Sequence, residues 1–165
     1  MTITATGTAC TIKGKSSTLS IAIGSTGHPE GTYTINDRAL PGPGEYEVGE
    51  MFAELSPALA HFHLEDMVLV VRQDDGSPLG TADFEQLERA DILLLVHAGG
   101  DMEPMLDALK LSAKIEPKAI VIVAADAAQI EAQVSGRSPE TVETLKLTAK
   151  ELPEEGQRLF ILPIR

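Results

Sequence analysis

Apolar and polar residues alternate with a period of two through most of the first half of the chain, and the alternation ends near residue 80. That period sends successive side chains to opposite faces of a strand, so each alternating run predicts a half-buried strand. Such runs lie at 3–5, 9–12, 18–23, 32–35, 45–48, 51–55, 60–64 and 67–72. Turns containing glycine or proline separate several of them, at 13–15, 24–27 and 41–44, and the whole half reads as a β-meander.

Past residue 80 the apolar positions cluster instead. Thr81 is placed to cap a helix over 82–89, with Asp83 and Glu85 in its first turn. Asp101 is placed to cap a second helix reaching about Lys114, where Met102, Met105, Leu106, Leu109 and Ala113 recur at three- and four-residue spacing. Asp126 is placed to cap a third, through about Val134, ended by Ser135 and Gly136. Between and after these helices, 91–96, 119–124 and 159–164 read as buried strands. With no internal repeat and no linker, residues 1–165 are expected to form one α/β domain.

Composition narrows the function classes. Hydrophobic residues are 43% of the 165 and charged residues 23%, which is globular, and a domain of this size buries about 70% of the surface its unfolded chain exposes. The apolar runs are far shorter than the roughly 20 residues a membrane span needs. The first residues lack a basic stretch followed by an apolar one, so the expected location is the cytoplasm. A net charge of −12 argues against nucleic acid, whose phosphates demand clustered Lys and Arg; Lys13 and Lys15 read as solvated turn residues. Cys10 is the single cysteine, on an apolar strand, and reads as a small buried hydrophobe. Two tyrosines and no tryptophan leave little aromatic surface for stacking on bases or sugars.

The run Gly42-Pro43-Gly44-Glu45-Tyr46-Glu47-Val48 resembles the "GPGEYE" segment of small metal-dependent hydrolases of the metallo-β-lactamase fold. Further likenesses follow in order. Residues 7–14 are similar to that family's opening "GHSCFRIKG", 76–79 with 84–88 to "GHPLTEEQLE", 90–96 with Gly99 and Gly100 to "VDVLLIPVGG", and 117–122 to "PKIVIP". The tail, at 145–147, 152–155 and 162–165, is similar to the family's last strands. The resemblance implies a four-layer αββα sandwich, shortened here. It also implies zinc or a related ion at one edge, held by a His-x-His-x-Asp-His loop, a bridging aspartate and two more histidines, and activating a bound water.

This chain departs from that ligand pattern nearly everywhere. Where the histidine loop belongs only His28 stands; Thr8 replaces the histidine of the opening motif, and Ala124-Ala125-Asp126 occupies the place of the late one. Asp74 matches the bridging aspartate, within a stretch that also reads as a hairpin turn.

His61-Phe62-His63-Leu64-Glu65-Asp66 carries a different chemistry. Residues 61, 63 and 65 of a strand share a face, so His61, His63 and Glu65 form a candidate two-histidine, one-carboxylate set; the competing reading is a solvent-facing strand with Phe62 and Leu64 turned inward. His97 ends a buried strand, with a packed role competing against a chemical one.

The leading expectation is a non-catalytic protein of this fold, without cofactor, acting as a binding or assembly subunit. Apolar surface bared by the shortening would be covered in a symmetric homo-oligomer. The alternative is a zinc-dependent hydrolase with a site rebuilt from His61, His63, Asp74 or His28. A third reading is a small-molecule sensor holding an anion at Gly99-Gly100 ahead of the second helix.

Overall fold

The computed structural model describes residues 1–25, 28–73 and 77–165. The first five strands, β1 (Thr2–Thr6), β2 (Ala9–Lys13), β3 (Thr18–Ala22), β4 (Tyr33–Ile35) and β5 (Arg38–Ala39), form an antiparallel meander. The chain then leaves that sheet and starts another with β6 (Gly44–Val48), β7 (Met51–Leu55), β8 (Ala60–Leu64) and β9 (Met67–Gln73). The helices α1 (Thr81–Leu87), α2 (Glu103–Ile115) and α3 (Ala127–Val134) alternate with β10 (Ile92–His97) and β11 (Ala119–Ala124). β12 (Glu140–Thr141), β13 (Thr144–Lys146) and β14 (Arg158–Pro163) complete the chain.

Two sheets result, one of six strands in the order β13-β1-β2-β3-β4-β5 and one of eight in the order β12-β14-β11-β10-β9-β8-β7-β6. Late in the chain β13 returns to pair with β1, tying the second half to the first sheet. In the larger sheet β9, β10, β11 and β14 run parallel, joined by helical crossovers, and are apolar on both faces.

Alternation along the strands sorts the core into two layers. Ile3, Ile12, Leu19, Ile21 and Ile35 of one sheet face Phe62, Leu69, Val71, Leu94 and Val121 of the other, all buried. The opposite face of the larger sheet, through Val70, Leu93, Leu95, Ile120 and Ile161, packs on Leu87, Met105, Leu109, Ile130 and Val134 of the helices.

All three α-helices lie on that one sheet, so the described residues build three of the four layers that the αββα resemblance implies. The outer face of the six-stranded sheet explains why no helix is needed there. A single register row crosses it from Thr144 through Thr4, Thr11 and Ser20 to Thr34. These hydroxyl side chains are half-buried or exposed, and a polar face has nothing to hide from water.

Two caps differ from expectation. α1 is preceded by Gly80, whose N–H donates to Asp83 Oδ2 at 2.7 Å, so Thr81 is already inside the helix. α2 has Met102 as its N-cap, and Asp101 accepts from Glu103 N–H at 3.0 Å one step outside. Asp126 does cap α3, accepting from Gln129 N–H at 3.0 Å.

The Gly42–Val48 run is explained by a side chain that folds back. Tyr46 Oη donates to the Gly42 carbonyl at 2.7 Å, and Gly44 adopts φ +148°, where a Cβ would lie 3.0 Å from that same oxygen. Glycine at 44 therefore serves both the backbone conformation and the space the phenol needs.

Candidate functional site

The C-terminal ends of the parallel strands align at one end of the sandwich, where His97, Ala124 and Pro163 fall in successive register and Gln73 pairs with Val96, one residue before His97. Such ends are where open α/β sheets commonly receive ligands. The loops of the other sheet reach the same place: Gln73 Nε2 donates to the Ala22 carbonyl at 3.2 Å, and Ile23 N–H to the Thr8 carbonyl at 2.8 Å. Thr8, Ala124 and Ala125 thus gather where the resemblance locates metal ligands and carry neither imidazole nor carboxylate, while the carboxylate of Asp126 beside them caps α3 by accepting from Gln129 N–H. Asp74 lies outside the described residues.

His28 does not fit a metal there. It is 1% exposed, with Nδ1 2.7 Å from the Ser56 carbonyl and Nε2 3.2 Å from Tyr33 Oη. A carbonyl only accepts, so Nδ1 carries the proton and Nε2 accepts from the phenol. Both nitrogens are engaged, and the rings of His28 and Tyr33 meet edge to face at 5.0 Å. Ser56 is itself fixed, its Oγ donating to Asp83 Oδ1 at 2.6 Å and accepting from Leu59 N–H at 3.0 Å. This is a structural network joining the β7–β8 turn to α1. His97, at 2% exposure, is likewise a buried side chain at the end of a strand.

Gly99 and Gly100 both have positive φ, +110° and +98°. Asp101 and Glu103, however, put two carboxylates at the start of α2, which is unfavourable for an anion. Cys10 is fully buried, and burial pushes its thiol up to about 12, so it stays protonated and unreactive near neutrality.

His61 and His63 are brought together, on the helix-side face of β8, with ring centroids 4.9 Å apart and planes at 76°. Phe62 and Leu64 turn inward as the alternation requires. Glu65 does not join them: at φ +51° it starts the β8–β9 hairpin turn and points to the amino terminus, 3.1 Å from the Met1 ammonium, while also accepting from Lys15 N–H. Those bonds hold its carboxyl below the usual range, the Lys15 amide first among them. The expected one-strand triad is therefore broken by the turn.

The strand is also not solvent-facing throughout. His63 is exposed, whereas His61 is 4% exposed and neither of its ring nitrogens has a hydrogen-bond partner. Leaving a buried donor unpaired costs about 1–3 kcal/mol, so this ring is a conspicuous exception to ordinary polar satisfaction. Burial, then the neighbouring His63 and Arg89 charges, lower the His61 pKa to about 4. At neutral pH it is uncharged.

An acidic residue in register with this pair comes from the preceding strand, which spacing within β8 does not show. Glu54 of β7 lies directly opposite His61, and Phe52 opposite His63. Directly opposed Cβ atoms in an antiparallel pair are about 4.5–5.5 Å apart. Among the described residues, no three His, Cys, Asp or Glu side chains are arranged to hold a metal ion.

No family model matches the chain, and no curated protein does. Among solved structures it is similar to a Thermotoga maritima protein assigned as a Zn-dependent hydrolase of the metallo-beta-lactamase superfamily. The identity is 16%, the match covers 98% of each chain, and the TM-score is 0.62. At that identity the likeness carries the fold, an α/β arrangement of the metallo-β-lactamase kind. No described helix is long and apolar enough to cross a membrane.

Proposed function

We propose that this chain is a non-catalytic protein of the metallo-β-lactamase fold, working as a binding or assembly subunit. The observation that supports this reading is the engagement of His28. It is the sole histidine in the segment where the histidine loop belongs, and Ser56 and Tyr33 occupy both of its nitrogens inside the fold. Thr8 and Ala125 carry neither imidazole nor carboxylate at the same end.

Assembly with further copies of the chain belongs to this reading, although the apolar surface for it is narrow. Among the described residues, Phe52 at 37% and Phe84 at 42% are the large hydrophobic side chains that are exposed. Phe84 stands with Leu79 and Pro78 on a cavity of about 440 Å³ between α1 and α2.

The test is hydrolysis of ester, β-lactam and phosphodiester probes by the full chain, with zinc or manganese added. The expected result is no turnover above the metal alone. Turnover that disappears in Asp74→Ala would overturn the reading in favour of a hydrolase. Light scattering on the same sample measures assembly; a strict monomer at high concentration would remove the self-assembly part.

A further inference from the structure

We propose that His61 and His63 form a two-imidazole binding site for a divalent transition-metal ion, on the helix-side face of β8 and separate from the strand ends where the resemblance locates metal. Three observations carry it. The first is spacing. Two imidazoles on one tetrahedral zinc, with Zn–N about 2.0–2.1 Å, hold their ring centroids about 5 Å apart, and these two stand at 4.9 Å.

The second is the unsatisfied ring of His61. Both of its nitrogens are buried without a partner, so neither is engaged within the fold. A bound cation would engage one nitrogen directly.

The third is access. His63 is exposed and lines an open cleft of about 1010 Å³ whose charged lining combines Glu50, Glu65 and Asp66 with Lys15 and Lys150. Glu54 stands opposite His61 in the β7–β8 register, so its side chain leaves the sheet on the same face. It can ligate the ion or accept from a ring N–H and fix the tautomer. Solvent fills the remaining positions. Imidazole donors suit zinc, nickel and copper over magnesium or calcium, so the site should select the former group.

The experiment is titration of nickel or zinc chloride into the full chain at pH 7, by calorimetry and by NMR of the histidine ring signals. One saturable equivalent should bind, shifting the His61 and His63 resonances and leaving those of His28 in place. His63→Ala, at an exposed position, should weaken binding at least tenfold without loss of fold, and Glu54→Gln should weaken it less. Asp74→Ala should leave it unchanged. Absence of saturable binding up to millimolar metal would overturn the proposal, as would a site that survives His63→Ala. The readout is binding, so the result stands apart from the turnover that tests the proposed function.

Discussion

Tyr46 and Gly42 are joined by a hydrogen bond of 2.7 Å from the phenol to the backbone carbonyl, closing the loop that carries the chain from one sheet to the other. Gly44 makes the bond possible. Gly44→Ala would set a Cβ 3.0 Å from Tyr46 Oη and force a side chain into φ +148°. A loss of about 1–3 kcal/mol is expected, read as a lower urea midpoint with an unchanged slope. Tyr46→Phe, which removes only the bond, should cost about 1 kcal/mol.

His61 should make stability depend on pH. Its pKa is lowered in the fold from the ordinary 6.5 to about 4, so between those values the unfolded chain binds more protons than the folded one. Its neutral state thus contributes no penalty above pH 6.5, and stability falls as pH drops from 6.5 toward 4. The expected loss is on the order of 2–3 kcal/mol. Urea unfolding across that window should show a flatter pH profile in His61→Phe than in the parent chain.

The edge strand β6 should be held apart from other strands by its acids. Among the described residues it pairs only with β7, and Glu45 and Glu47 are exposed along it. Like charges on an edge disfavour pairing with a second copy. Replacing both, Glu45→Val with Glu47→Val, should produce concentration-dependent association on light scattering, whereas Glu47→Gln alone should have a small effect.

Cys10 should be silent until the fold opens. The thiol is fully buried and its pKa is pushed up to about 12. A thiol reagent at pH 8 should label the native protein only at the rate of unfolding and the urea-unfolded chain at once. Rapid labelling without denaturant would show that the first sheet opens locally.

The strands were readable because alternation is local. Leu19, Ile21 and Ile35 lie where a period of two puts them, and the uninterrupted runs at 92–96 and 119–124 became the parallel strands buried on both faces. Less legible were features that depend on partners far along the chain. The short β13 has a place only because Leu145 meets Ile3, a pairing that spans most of the sequence. Glu54 approaches His61 through register across a hairpin, and Glu65 leaves the same face because a turn begins at its own φ. The expected apolar surface was also reduced for a nonlocal reason, since the sheet without helices turned out to present hydroxyls.

That hydroxyl row has a consequence for how the protein meets its surroundings. From Thr144 to Thr34 it sets side chains that donate and accept at the regular separation of neighbouring strands, about 4.8 Å. Water molecules can bridge from one strand to the next across five of the six strands, the row ending where Thr34 meets Ala39 of β5. A solute docking there must displace the solvent of that strip, so the face is expected to offer little to an apolar partner.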